Sequence, residues 1–142
     1  LQEINFVFIG PTDDSLQHSN LNRIKKLKNV FLLGYRNYKH LPSYCAYFDV
    51  AWLPLIHNNY TKSMFPMKFF EYLAAGLPVV STDLESIREF NKLVAISDDI
   101  SKIKISITEA LKNKNSNLKN RLSLAMENTY QKRTKKMLME LN

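Results

Sequence analysis

One segment of the chain carries the residue types from which the most specific chemistry follows. Residues 57–82 read HNNYTKSMFPMKFFEYLAAGLPVVST, a polar loop followed by a proline and an amphipathic stretch. Proline favours the first turn of a helix, and Gly76 with the proline after it marks the helix end. The amides and the dipole of a helix N-terminus attract phosphate groups. The segment therefore predicts an anion site near Pro66.

Two charged side chains follow that predicted site. Lys68 falls in the first helical turn, where a cation opposes the helix dipole unless an anion is bound. Glu71 comes three residues later and shares a helix face with Lys68. A carboxylate beside a phosphate-binding helix end can accept hydrogen bonds from ribose hydroxyls. The same spacing also fits a solvent-exposed lysine–glutamate pair on a packed helix, so the residues alone leave both interpretations open.

The elements that must position these residues alternate along the chain. Short apolar runs, typical of strands buried on both faces of a parallel sheet, occupy residues 4–9, 30–33, 49–55, 78–81 and 93–96. Helical patterns occupy residues 20–28, 38–48, 66–75, 83–90, 101–112 and 118–141, with Asp83, Asp98 and Asp99 as helix-starting residues. This order predicts an α/β fold with a doubly wound, parallel, Rossmann-like sheet.

Ligands of such sheets bind beyond the carboxyl ends of the strands. Arg36 follows the second strand, and Asn58 and Thr61 follow the third, so these polar side chains could reach a ligand such as a phosphate. His57 could face the same ligand. Each of these residues also fits an ordinary solvated loop.

Composition and charge exclude several classes of protein. The chain has 142 residues with 16 aromatic side chains, which excludes low-complexity disorder, and its one cysteine excludes a disulfide-stapled module. No apolar run is long enough for a membrane helix and no signal-peptide pattern is present, which favours a cytoplasmic location. His18 and His40 lack metal-ligand partners at usable spacing, so no metal and no cofactor are predicted.

The net charge of +7 lies entirely in the last part of the chain. Residues 1–101 carry ten basic and ten acidic groups, whereas residues 102–142 carry ten basic and three acidic groups. The basic residues have no interleaved aromatic platform, so nucleic acid is not predicted as a partner. A solvated helix face and a weak contact with an anionic membrane surface both fit this basic tail.

The run from residue 6 to residue 90 resembles the carboxy-terminal, nucleotide-sugar-binding half of GT-B-fold glycosyltransferases. The resemblance is greatest to bacterial enzymes that build surface polysaccharides, of the type of glycosyltransferase families 1 and 4. The matching stretches are FVFIGP at 6–11, NVFLLG at 29–34, LPSYCAYFDVAWLPL at 41–55 and PMKFFEYLAAGLPVVSTDL at 66–84. The last stretch is the most specific of the four.

The resemblance implies a donor site for a nucleotide-diphosphate sugar, the substrate, with Glu71 holding the ribose and Lys68 the diphosphate. Tyr35 and Arg36 match a turn that touches the base. The other donor-binding residues that it implies lie before and at the helix start: Asn58, Thr61, Ser63, Met64, Phe65 and Met67. Many retaining members carry a glutamate where this chain has Ser63, so the stereochemical outcome stays open.

The resemblance also implies that residues 1–142 are one partial, donor-binding domain, with a basic terminal helix region at 118–142. The family's first strand–helix unit and its acceptor-binding amino-terminal domain would be absent, and the chain alone would be inactive. The implied reaction transfers a sugar to a glycan or lipid-linked acceptor in polysaccharide biosynthesis, at or near the inner membrane surface. Two alternatives stay open: a non-catalytic nucleotide- or polyanion-binding module, and a GT-B-fold nucleotide-sugar epimerase.

Overall fold

The computed structural model describes residues 3–12 and 21–140. Residues 1–44 and residues 45–142 form two compact units. The described part contains five strands, all of them within the apolar runs, so the prediction of strands alternating with helices is confirmed. Both sheets are parallel and helices flank them, which confirms the predicted α/β class.

The first unit is built on a two-stranded parallel sheet. Strand β1 (Phe6–Phe8) pairs with β2 (Val30–Leu32), with Phe6 opposite Val30, and helix α1 (Leu21–Ile24) lies between them in the chain. The prediction that these strands are buried on both faces is wrong. Val7, Phe8 and Phe31 remain 37–44% exposed, because this unit has only two short strands and a few short helical segments to cover them.

The second unit contains a three-stranded parallel sheet in the order β3-β4-β5. Its strands are β3 (Ala51–Leu53), β4 (Val79–Ser81) and β5 (Val94–Ile96), and β4 is buried along its whole length. The core gathers buried side chains of β3, β4 and β5 and of helix α4 (Met67–Ala74), which connects β3 to β4. This unit therefore carries the helix on which the predicted anion site depends.

The short helical segments agree only partly with the sequence predictions. Helix α2 (Leu41–Cys45) and the 3₁₀ turn before it at Tyr38–His40 lie within the predicted helical region 38–48. Helix α3 (Asn59–Ser63), in contrast, occupies a stretch for which the sequence predicts a loop. The predicted cap at Asp83 is also wrong. The 3₁₀ segment Glu85–Phe90 begins after Leu84, and the Asp83 carboxylate binds Arg88 instead.

Three helices form the carboxy-terminal part of the chain. They are α5 (Ile100–Lys112), α6 (Leu118–Glu127) and α7 (Tyr130–Glu140). The predicted start of α5 is confirmed, because the Asp99 side chain accepts the amides of Ser101 and Lys102. Within the described residues, every helix is too short or too polar to cross a lipid bilayer.

Candidate functional site

The loop after β3 is braced by its own polar side chains. The Asn58 side chain accepts the Thr61 amide at 2.8 Å, and the Thr61 hydroxyl oxygen accepts the Asn58 amide at 2.9 Å. The Thr61 hydroxyl donates to the Ile56 carbonyl at 2.6 Å, and Thr61 is only 6% exposed. This capping box begins α3 and fixes the path of the chain toward α4. Contact of Asn58 or Thr61 with a sugar stays a prediction.

The N-terminus of α4 differs chemically from the capped starts of α3 and α5. Pro66 is its N-cap residue, and a proline side chain makes no cap hydrogen bond to the first turn. The Pro66 carbonyl accepts the Phe69 amide at 2.9 Å, whereas the Met67 and Lys68 amides precede any intrahelical acceptor. An oxygen-rich anion could accept these amides, and the helix dipole would favour its negative charge.

The two faces of α4 separate packing from charge. Phe69, Phe70 and Leu73 are buried in the core, whereas Lys68 is exposed and Glu71 is half-buried. The apolar face thus fixes the rotation of the helix about its axis. As a result, Lys68 and Glu71, which lie three residues apart, both stay outside the buried face.

The carboxylate of Glu71 affects two titratable groups nearby. Burial, and then the negative charge of Glu71, raise the pKa of the half-buried Cys45 thiol at the end of α2. Burial is also the main cause that raises the pKa of the Tyr72 hydroxyl, to which Cys45 and then Glu71 add. The charge of Glu71 therefore reaches both the Cys45 thiol and the Tyr72 hydroxyl.

Aromatic packing connects the start of α4 to α7. Phe65 stacks on Phe70 with ring centroids 5.0 Å apart, and the Arg133 guanidinium of α7 lies 4.6 Å from the Phe65 ring centre. Met64 is the C-cap residue that follows α3, and its carbonyl accepts the Ser86 hydroxyl at 3.0 Å. The two residues before Pro66 are thus held by packing and by a hydrogen bond.

The remaining predicted contacts lie in different places. Ser63 is the exposed last residue of α3, and Met67 is the half-buried first residue of α4. Tyr35 and Arg36 belong to the first unit, where Arg36 donates to the Tyr44 hydroxyl at 2.9 Å and to the Tyr35 carbonyl at 2.8 Å. The structure therefore brings Ser63, Met67, Lys68 and Glu71 together in one unit and describes Tyr35 and Arg36 in the other.

A charged network joins the carboxyl ends of the three strands of the second unit. His57 lies 2.9 Å from the Asp98 carboxylate, which also accepts the Asp83 amide at 3.0 Å, and Asp83 binds Arg88 at 2.6 Å. The Asp83 amide, and then His57, lower the pKa of Asp98. Sequence reasoning missed this network, although two of its acidic residues follow β4 and β5 by two positions.

No described group of three or more histidine, cysteine, aspartate or glutamate side chains could hold a metal ion. His57 and Asp98 are both exposed and are bonded to each other.

Comparison with known families adds an independent observation to this geometry. The sequence profile of the glycosyl transferases of group 1 matches residues 1–113, about four fifths of the chain. The chain belongs to this glycosyltransferase family. The resemblance stated from the sequence motifs is thereby confirmed.

The name of one curated relative of this glycosyltransferase chain refers to a biosynthetic process. The chain is 34% identical, over 87 residues, to the putative teichuronic acid biosynthesis glycosyltransferase TuaH of Bacillus subtilis strain 168. The aligned part is 61% of this chain and 22% of that relative, so the chain spans well under two thirds of the relative's length. The family match ends before α6, so α6 and α7 lie outside it.

Proposed function

We propose that this chain binds the nucleotide-sugar donor of an enzyme that transfers a sugar to a glycan or lipid-linked acceptor in bacterial polysaccharide biosynthesis. The observation that carries the proposal is the start of α4. There, first-turn amides without a side-chain cap point out of the helix end, and exposed Lys68 and half-buried Glu71 share one side of the helix. Membership in a glycosyltransferase family and the teichuronic acid context of the relative support it.

The proposed mechanism relies on positioning and on charge. Breaking the bond between the sugar and the diphosphate leaves growing negative charge on the leaving group. Lys68 and the first-turn amides are placed to stabilise that charge. The proposed site uses no metal ion for this purpose. Glu71 accepts hydrogen bonds from the ribose hydroxyls and so fixes the nucleotide along α4. Holding donor and acceptor in register then lowers the barrier further.

Calorimetry on the intact protein with UDP, GDP and ADP tests this donor site. We expect one of the three nucleotides to bind, and we expect Lys68→Gln to weaken that binding about 10-fold, because a charge-assisted hydrogen bond is lost. Lys119→Gln is the matched control, since Lys119 is an exposed lysine of α6. Equal losses in both variants would favour a polyanion-binding module, and no binding of any of the three nucleotides would overturn the proposal.

We also propose that α7 contacts an anionic membrane surface on the cytoplasmic side. The helix has no buried residue, and Met137 and Met139 are 66% and 63% exposed. Its sequence YQKRTKKMLME combines these apolar side chains with Lys132, Lys135 and Lys136. Lysines near an anionic leaflet contribute about 1 kcal/mol each, which suits a weak peripheral attachment.

Vesicle sedimentation tests the membrane contact. We expect the protein to bind vesicles that contain phosphatidylglycerol more tightly than vesicles of phosphatidylcholine alone. The double variant Lys135→Gln/Lys136→Gln should reduce that binding about 30-fold, from about 1 kcal/mol per lysine. The pair Lys25→Gln/Lys26→Gln removes the same charge from the first unit and should have little effect. Equal binding to both kinds of vesicle would refute the contact.

A further inference from the structure

Arg121 of α6 is a charged residue in the interior of the second unit. It is only 3% exposed. Its Nε and Nη2 atoms donate to the Gly76 carbonyl at 3.1 and 2.9 Å, and the guanidinium also donates to the carbonyls of Ser116 and Lys114. The side chain therefore joins the end of α4 to the turn between α5 and α6.

A buried guanidinium is costly unless its donors are satisfied. Burial lowers the pKa of Arg121, and the hydrogen bonds that the structure gives it run to backbone carbonyls. An apolar side chain at this position would avoid the desolvation cost but would remove the donors that Arg121 supplies to those carbonyls. The planar guanidinium thus bonds several backbone carbonyls at once at this point of the fold.

The acceptor at Gly76 lies just beyond the carboxyl end of α4. Gly76 has φ +77°, its amide bonds the Leu73 carbonyl at 2.9 Å, and the Leu77 amide bonds the Tyr72 carbonyl at 3.0 Å. This is the left-handed helix end that glycine favours. A cation there complements the negative end of the helix dipole. Arg121 consequently binds α4 at its carboxyl end, opposite the N-terminal amides.

Packing between α4 and α6 adds to these hydrogen bonds. α4 and α6 have the most extensive contact of any two elements in the unit, and the Leu118 side chain approaches Gly76 so closely that a Cβ there would lie 2.9 Å from it. An eight-residue helix is about 12 Å long and rigid. A shift at Gly76 therefore moves Glu71, in the middle of the helix, and Lys68, at the other end, by a similar distance.

We infer that Arg121 is a positioning residue that fixes α4 along its axis, so that Lys68, Glu71 and the first-turn amides meet the donor in register. This inference rests on the donor-binding function proposed above. Arg121 lies beyond residues 1–113, so the family match does not assign it a role. Through Arg121, the basic tail would contribute to the donor site by positioning α4 and not through its net charge.

The test compares a substitution of Arg121 with a substitution that only lowers the stability of the second unit. Arg121→Lys keeps the charge but loses the planar guanidinium, and we expect the dissociation constant of the bound nucleoside diphosphate to rise about 10-fold in protein that circular dichroism shows to be folded. Ile107→Ala removes a buried side chain of α5 and should lower stability without changing that constant. An unchanged dissociation constant in folded Arg121→Lys would overturn the inference.

A second measurement uses the wild-type protein, so it does not depend on the variant folding. If Arg121 couples α6 to the site, nucleotide binding should slow amide hydrogen exchange in residues 118–127 as well as in α4. Slowing confined to α4 would contradict the coupling. A wild-type protein that binds none of UDP, GDP and ADP would instead overturn the proposed function, so the two failures are distinguishable.

Discussion

Replacing Glu71 by alanine in the intact protein is expected to weaken nucleoside diphosphate binding about 10- to 100-fold. Glu71 is half-buried on the outer face of α4, and the proposal gives its carboxylate the hydrogen bonds of the ribose. A hydrogen bond to a charged group contributes about 1.5–3 kcal/mol, which corresponds to that range. Isothermal calorimetry with the nucleotide that binds the wild-type protein measures the effect directly.

Two variants make this result specific. Glu89→Ala removes an exposed carboxylate from the 3₁₀ segment Glu85–Phe90 and should leave the affinity unchanged. Glu71→Gln keeps the shape and one acceptor oxygen, so its loss should fall between those of the wild-type protein and Glu71→Ala. If Glu71→Ala binds as tightly as the wild-type protein, the carboxylate does not hold the ribose.

The Cys45 thiol reports on Glu71 without any nucleotide. The charge of Glu71 contributes to the raised pKa of Cys45, after the larger effect of burial. Glu71→Gln should therefore lower the pKa of the thiol and make it react faster with a thiol reagent at a fixed pH near 8, since more thiolate is present. This readout checks that the carboxylate occupies its observed place, even where the nucleotide data are negative.

Local patterns in the sequence were enough to place most elements of the fold. The five strands lie inside the apolar runs, and α4 lies inside the predicted helix 66–75 because proline, an apolar stripe and glycine act within a few residues. Asp99 likewise caps α5 through bonds to residues two and three positions away. Such short-range rules also put Lys68 and Glu71 on one face.

Features that depend on distant partners were not predictable in the same way. The pairing of Arg121 with Gly76 spans 45 residues, and the pairing of His57 with Asp98 spans 41. The burial of β1 and β2 was overestimated, because an apolar run does not reveal how many neighbours will cover it. Helix α3 is not predicted from the sequence, although Asn58 and Thr61 have capping-box spacing, because its residues NYTKS carry no apolar stripe.

Replacing Phe69 by alanine is expected to reduce the free energy of unfolding of the second unit by about 3–5 kcal/mol. Phe69 has no exposed surface, and its ring centre lies 5.1 Å from those of both Phe70 and Phe90 and 6.0 Å from that of Phe65. The substitution removes these ring contacts and leaves a cavity under α4. Urea denaturation followed by circular dichroism measures the change.

The matched control separates burial from aromatic content. Tyr47→Ala removes an aromatic side chain that is 88% exposed in the same unit, so it should cost less than about 0.5 kcal/mol. Because Phe69 is adjacent to Lys68 in the first turn of α4, the same cavity should also loosen the donor site. Nucleotide affinity is therefore expected to fall in folded Phe69→Ala and to stay constant in Tyr47→Ala. Similar stabilities for the two variants would show that α4 is not held by this core, and the predicted rigidity of the site would then have no physical basis.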